Sequence, residues 1–93
     1  KKIVKVDDNI KVNRIIRQYY FQKDYKKTIE ELFPYLHSSS KKARAKALFY
    51  TALSYIQLKK YDKALDYLVH PLTVKAYGKR AKFWYKRAVE KLK

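Results

Sequence analysis

Apolar residues recur along this chain at spacings of three and four, the period of an α-helix, with no sustained strict alternation. Ile10, Ile15, Ile16, Tyr19 and Tyr20 follow Asp7-Asp8-Asn9 and predict a helix over about residues 9–22. The acidic and amide side chains ahead of it can cap the first turn and suit its positive end. Asp24 offers a second cap, and behind it Ile29, Leu32, Phe33 and Leu36 form an apolar stripe. Pro34 lies inside that stripe and should kink or loosen the final turns. Ser38-Ser39-Ser40 reads as a loop ending in a capping serine. A long helix is expected from about Lys41 to Leu58, carrying Ala45, Leu48, Phe49, Ala52, Leu53, Tyr55 and Ile56. Lys59-Lys60 makes a tight connection into a fourth helix with Ala64, Leu65, Leu68 and Val69, which Pro71 should end. Around Gly78 the chain turns into a fifth helix, roughly 79–92, with Ala81, Trp84, Tyr85, Ala88, Val89 and Leu92. Residues 1–6 alternate enough for a short extended arm, so the expected division is an arm over 1–8 and a helical domain over 9–93.

Composition narrows the picture. At 93 residues the chain is one domain, and its 47% hydrophobic content is enough for a core despite the charge. The absence of Cys excludes disulfides, thiol catalysis and Cys-ligated zinc, and is neutral as to compartment, cytoplasmic or periplasmic. A single Gly argues against hairpin-rich β structure and against phosphate-cradling loops. No apolar run approaches the roughly 18 residues of a membrane span. The start at Lys1-Lys2, without Met, is expected of a piece of a longer protein whose targeting segment lies elsewhere.

Sliding the sequence against itself brings out a 36-residue echo. At that offset Tyr19 meets Tyr55, Lys23 meets Lys59, Tyr25 meets Tyr61, Leu32 meets Leu68, and Ala52 meets Ala88. The run Arg44-Ala45-Lys46 meets Arg80-Ala81-Lys82. The matches fall at corresponding places in the expected helices, so the unit is helix, tight turn, helix, loop.

The residue types in that unit resemble the tetratricopeptide repeat. The second copy matches best: Leu48 opens its first helix, Ala52 is the small residue at the close helix contact, and Tyr55 fills the gap between helices. Tyr61, Ala64 and Leu68 take the corresponding places in its second helix. The first copy keeps Tyr19, Tyr25, Ile29 and Leu32, but has Ile16 where a small residue is expected and Thr28 in place of Ala. Lys23 and Lys59 stand where a turn Gly is customary, Pro34 and Pro71 fall early, and the period exceeds the family's usual length of about 34. The third copy is half present, as Ala81, Trp84 and Ala88. The resemblance implies an all-α fold of about five helices: two hairpins (about 9–40 and 41–78) and a C-terminal capping helix (about 79–93), a fragment of a right-handed α-solenoid. The competing expectation is a generic helical bundle that uses Ala for close contacts and Tyr as filler.

Candidate chemistry is sparse. His37 and His70 stand near helix ends beside prolines, without a carboxylate cluster or second His at ligand spacing, and read as helix-end side chains. Ser38, Ser39 and Ser40 read as cap and loop, and Glu30-Glu31 as partners of Lys26 and Lys27 across one turn. No catalytic residue, metal site or cofactor is expected, and an enzyme is not. Binding is the better expectation. In repeats of this type the first helix of each pair lines a concave face. By position that assigns Asn13, Arg17, Tyr20 and Phe21 from the first copy, Lys46, Phe49, Tyr50, Leu53 and Ile56 from the second, and Lys82, Tyr85 and Val89 from the third. An apolar, aromatic floor bordered by cations suits a peptide or amphipathic helix with acidic residues. The family's clamp for a C-terminal carboxylate is matched here only by scattered cations. A floor covered by the arm's Ile3, Val4 and Val6, or by another flanking segment, is the plain structural alternative.

The net charge is +16, unevenly spread: residues 1–40 hold 9 basic and 5 acidic side chains, residues 41–93 hold 15 and 3. An acidic partner should therefore be drawn to the second half. A protein partner in a larger assembly is the principal reading, with the chain as a scaffold module. Nucleic acid is the alternative, since basic residues interleaved with Tyr, Phe and Trp could hold phosphates and stack bases. An anionic membrane surface, reached through the parent protein, is a third. Lys79, Arg80, Lys82, Lys86, Arg87 and Lys91 spread around the last helix and form no single stripe, and a Lys- and Tyr-heavy proteome from an AT-rich genome would give similar numbers.

Overall fold

A computed structural model of the chain describes residues 7–93; the expected arm over 1–6, with Ile3, Val4 and Val6, lies outside the described residues. The protein is all-α, without a strand among the described residues. Helix α1, Asp8–Ile15, runs into a π-helical turn at Ile16–Tyr20. Helix α2, Tyr25–Leu32, continues as a 3-10 segment at Phe33–His37; α3 is Lys41–Gln57, α4 is Tyr61–Leu68 and α5 is Pro71–Leu92.

The expected caps form. Asp7 Oδ1 accepts from the Asn9 N–H (3.2 Å), Asp24 Oδ1 from Lys27 (3.2 Å) and Ser40 Oγ from Ala43 (3.2 Å). Pro34 acts as expected: α2 stops at Leu32 and the tighter 3-10 turns carry the chain to His37. Pro71 differs from expectation. It does not merely end α4; it occupies the first turn of α5, where its missing N–H costs nothing, and His70 Nδ1 caps that turn by accepting from the Leu72 N–H (3.1 Å). Residues 71–77 are thus a helical limb. Gly78, with φ 41° and ψ −108°, bends α5 before the limb expected over 79–92. A Cβ at Gly78 would meet nothing within 4 Å, so glycine is needed there for the backbone conformation alone.

The two turns joining α1 to α2 and α3 to α4 close with the same pair of hydrogen bonds at the 36-residue offset. In the first, Lys23 N–H donates to Tyr20 O (3.0 Å) and Asp24 N–H to Tyr19 O (2.9 Å). In the second, Lys59 N–H donates to Ile56 O (2.9 Å) and Lys60 N–H to Tyr55 O (2.8 Å). This paired closure is a helix C-terminus that needs a left-handed residue. Lys23 (φ 66°) and Lys59 (φ 64°) supply it, where glycine would be unstrained.

Each helix packs against the next, and α1 and α3 also pack against the next but one. Helix α1 meets α2 and α3, α2 meets α3, α3 meets α4 and α5, and α4 meets α5. Helix α3 is the axis of the molecule, with ten of its 17 residues buried. Ala43, Ala47 and Leu48 join Val12, Ile16, Leu32 and Leu36 in one apolar cluster, while Phe49, Ala52, Leu53 and Ile56 join Ala64 and Leu68 in another. Fully buried Ala43, Ala47, Ala52, Ala64 and Ala88 let neighbouring backbones approach closely. Tyr20, Tyr50 and Tyr67 pack against both clusters and tie them together.

Candidate functional site

Across the first cluster, α1 is tied by polar contacts to α3 and to the loop that precedes it. Lys46 Nζ donates to Asn13 Oδ1 (2.7 Å) and Asn9 Oδ1 (3.1 Å), and Ser38 Oγ donates to Asp8 Oδ2 (2.6 Å). Burial, and secondarily the charge of Lys42, push the Lys46 ammonium below its usual pKa.

Beside this tie a cleft of about 310 Å³ opens between α1 and α5, walled by Asn13, Arg17 and Phe21 on one side, Lys46 and Tyr50 on α3, and Tyr77 and Arg80 on the other side. Aromatic rings pack beneath it in a continuous series. Tyr20 meets Tyr50 edge to face (5.0 Å, 80°), Tyr50 meets Phe49 (5.5 Å, 87°), and Phe49 lies flat on Tyr77 (4.0 Å, 10°). The Arg80 guanidinium lies at the side of this stack, 5.1 Å from the Phe49 centroid and 5.4 Å from that of Tyr77. Burial, with the neighbouring phenols as a smaller cause, pushes Tyr20 up to about 12 and raises Tyr77. These hydroxyls are therefore neutral at physiological pH and leave the charge of the cleft wholly to its cations. Among the described residues no carboxylate comes within ion-pair distance of Arg17, Lys46 or Arg80; the surface pair Lys27–Glu31 (3.7 Å) lies elsewhere, at the spacing expected from the sequence.

The structure divides the residues assigned from the sequence into three groups. Asn13, Arg17, Phe21, Lys46 and Tyr50 come together in the cleft, with Tyr20 packed against Tyr50 below it. Lys82 and Tyr85 line a different feature, an apolar groove of about 500 Å³ formed with Leu68, Val69, Val74 and Ala81, and Val89 is half-buried outside it. Phe49 and Leu53 correct the expectation. Phe49 is fully enclosed beside Tyr77 and Arg80, and Leu53 and Ile56 are buried in the second cluster, so all three are core rather than floor. Tyr77, in the short limb of α5 over residues 71–77, covers Phe49, while Leu53 and Ile56 lie in the cluster that Trp84 of the longer limb also packs against. Tyr77 and Arg80 are the cleft residues that sequence reasoning missed. They flank Gly78, which looked like a connection, and their only sequence signal was the aromatic–glycine–basic run Tyr77-Gly78-Lys79-Arg80.

The arrangement can hold an anion against aromatic surface: three cations, an amide and phenolic hydroxyls converge on one opening. No protein-family model matches the chain, and neither a curated protein nor a solved structure is similar to it. Among the described residues no helix is long and apolar enough to cross a membrane.

Proposed function

We propose that this chain is a non-catalytic interaction module, built of stacked tetratricopeptide-like hairpins, whose cleft takes an acidic peptide or helix of a partner protein. The convergence of Arg17, Lys46 and Arg80, with no carboxylate in ion-pair distance among the described residues, on a cleft underlain by stacked aromatic rings carries this reading. Cations there steer and orient an acidic segment, and the rigid rings give contact area at little entropic cost. The stacking half of the proposal draws support from the two closing hydrogen bonds that recur 36 residues apart, and from packing in which α1 meets α2 and α3 while α3 meets α4 and α5. Buried positions also recur at that offset: Val12 with Leu48, Leu32 with Leu68, Ala45 with Ala81, and Ile16 with Ala52 and Ala88.

The test compares a synthetic peptide rich in Glu and Phe with a single-stranded oligonucleotide of equal charge, by fluorescence anisotropy at several salt concentrations. The peptide is expected to bind, and Arg17→Glu with Arg80→Glu, folded by circular dichroism, to weaken it about tenfold or more, as loss of charge-assisted hydrogen bonds implies. Tighter binding of the oligonucleotide, with a steep salt slope and no loss in that double variant, assigns the basic surface to nucleic acid instead.

A further inference from the structure

Arg44 and Lys46 are two residues apart on α3, about 200° around a helix of 3.6 residues per turn, so they face opposite sides of the molecule. Lys46 serves the cleft. Arg44 borders a second and larger cavity, of about 640 Å³, between the 3-10 segment, α3 and α4. That volume is in the range of sites that enclose small molecules, roughly 300–1,000 Å³. Four basic side chains from four separate places in the chain line it: His37 at the end of the 3-10 segment, Arg44 on α3, Lys63 on α4 and His70 at the start of α5. Asp66 is the one acidic residue among them. The only two histidines of the sequence, 33 residues apart, thus share one cavity.

Three observations indicate what would occupy it. Arg44 stands at the cavity wall with its Nε buried and without a hydrogen-bond partner among the described residues, so the guanidinium is not neutralised or fully satisfied from within the protein. His70 Nδ1 accepts from the Leu72 N–H, which places the proton of the neutral ring on Nε2 and leaves that N–H as a donor. The rest of the lining is flat and apolar: Tyr67 stacks on Tyr55 (5.8 Å, 19°), and Phe33 stands largely exposed at the rim. Metal binding does not fit, since among the described residues no group of three or more His, Cys, Asp or Glu side chains is placed to hold an ion. A carboxylate would use only part of so many donors, whereas a phosphate offers three acceptor oxygens and close to two charges. We infer that this cavity binds a small phosphate monoester, its head on Arg44 with His37, Lys63 and His70 around it and a flat body against Phe33 and Tyr67.

The two histidines make the test direct, because every imidazole signal in a proton NMR spectrum comes from this cavity. Titration at fixed pH with phenyl phosphate is expected to shift both signals saturably, and at lower concentration than inorganic phosphate, with phenol giving no shift. Arg44→Gln should weaken the phenyl phosphate site about tenfold, the scale of one charge-assisted hydrogen bond. Arg17→Gln, on the opposite side of α3, should leave it unchanged. If Arg44→Gln does not fold, Lys63→Gln at an exposed position takes its place and must weaken binding. Shifts that rise without saturation, that are equal for inorganic phosphate and phenyl phosphate, or that survive the cavity variants overturn the assignment.

Discussion

The two helical hairpins, α1–α2 and α3–α4, close with the same hydrogen bonds and the same left-handed lysine, yet they differ where their first helices pack. At the position of the close helix contact the second hairpin has Ala52, fully buried, and a regular α-helix through Ile56. The first has Ile16, also buried, and there the backbone widens into the π turn Ile16–Tyr20. We attribute the widening to the bulk of Ile16: a branched side chain at a site shaped for a methyl group is accommodated by backbone rather than by exposure. A similar exchange occurs in the partner helices. Thr28 is as fully buried as its counterpart Ala64, and its hydroxyl is satisfied by donating to Asp24 O at 2.8 Å. The hairpin geometry therefore tolerates different residues at matched positions, provided each brings its own accommodation.

Surroundings separate the matched positions more than residue type does. Asn13, Phe49 and Tyr85 stand at successive 36-residue steps, and they are respectively half-buried beside the cleft, fully enclosed, and exposed. The middle position is covered because the Tyr77 limb of α5 folds over it. The largest expected effect follows: Phe49→Ala should destabilise by about 3–5 kcal/mol in urea unfolding, the range for emptying a buried aromatic site, while Tyr85→Ala stays within about 0.5 kcal/mol of the parent. Equal losses at the two positions would mean that the α5 limb does not enclose Phe49 in solution. Next in size, Ala52→Leu should cost about 1–3 kcal/mol by overpacking the second hairpin. A variant that melts like the parent would show that this hairpin can open as the first one does, and the contrast drawn from Ile16 would fall.

Much of the fold was readable from local chemistry. Asp7, Asp24 and Ser40 mark helix starts because an oxygen there meets otherwise unpaired N–H groups, and that interaction depends on neighbours two or three residues away. Pro34 shortened α2 for an equally local reason. Pro71 was harder, since the same ring that ends one helix is suited to begin another, and only the cap from His70 resolves which. The candidate cleft was legible in part. Asn13, Arg17, Lys46 and Tyr50 could be grouped through the resemblance to the repeat, whose pattern assigns these positions of the first helices to one side. Phe49 and Leu53 could not be recognised as core, because their burial is decided by where Gly78 sends the chain. The convergence of His37 and His70 was hidden for the same kind of reason: the cavity they share is made by tertiary packing, and no sequence spacing records it.

The smallest expected effect tests the likeness of the hairpins most directly. Lys23 and Lys59 hold left-handed backbone that disfavours any residue with a Cβ by about 1–2 kcal/mol, while glycine gives back part of that relief through the greater freedom of the unfolded chain. Both side chains are exposed, so substitution removes no packing. Lys23→Gly and Lys59→Gly should each stabilise by about 0.5–1 kcal/mol, and together should add, since the turns share no partners. Thermal unfolding of the two single variants and the double variant measures this. Matching gains would show that the two turns are energetically as well as geometrically equivalent. A gain at Lys59 alone would mean that the π turn leading into Lys23 already relieves the strain there, and that the departure begun at Ile16 extends to the end of the helix.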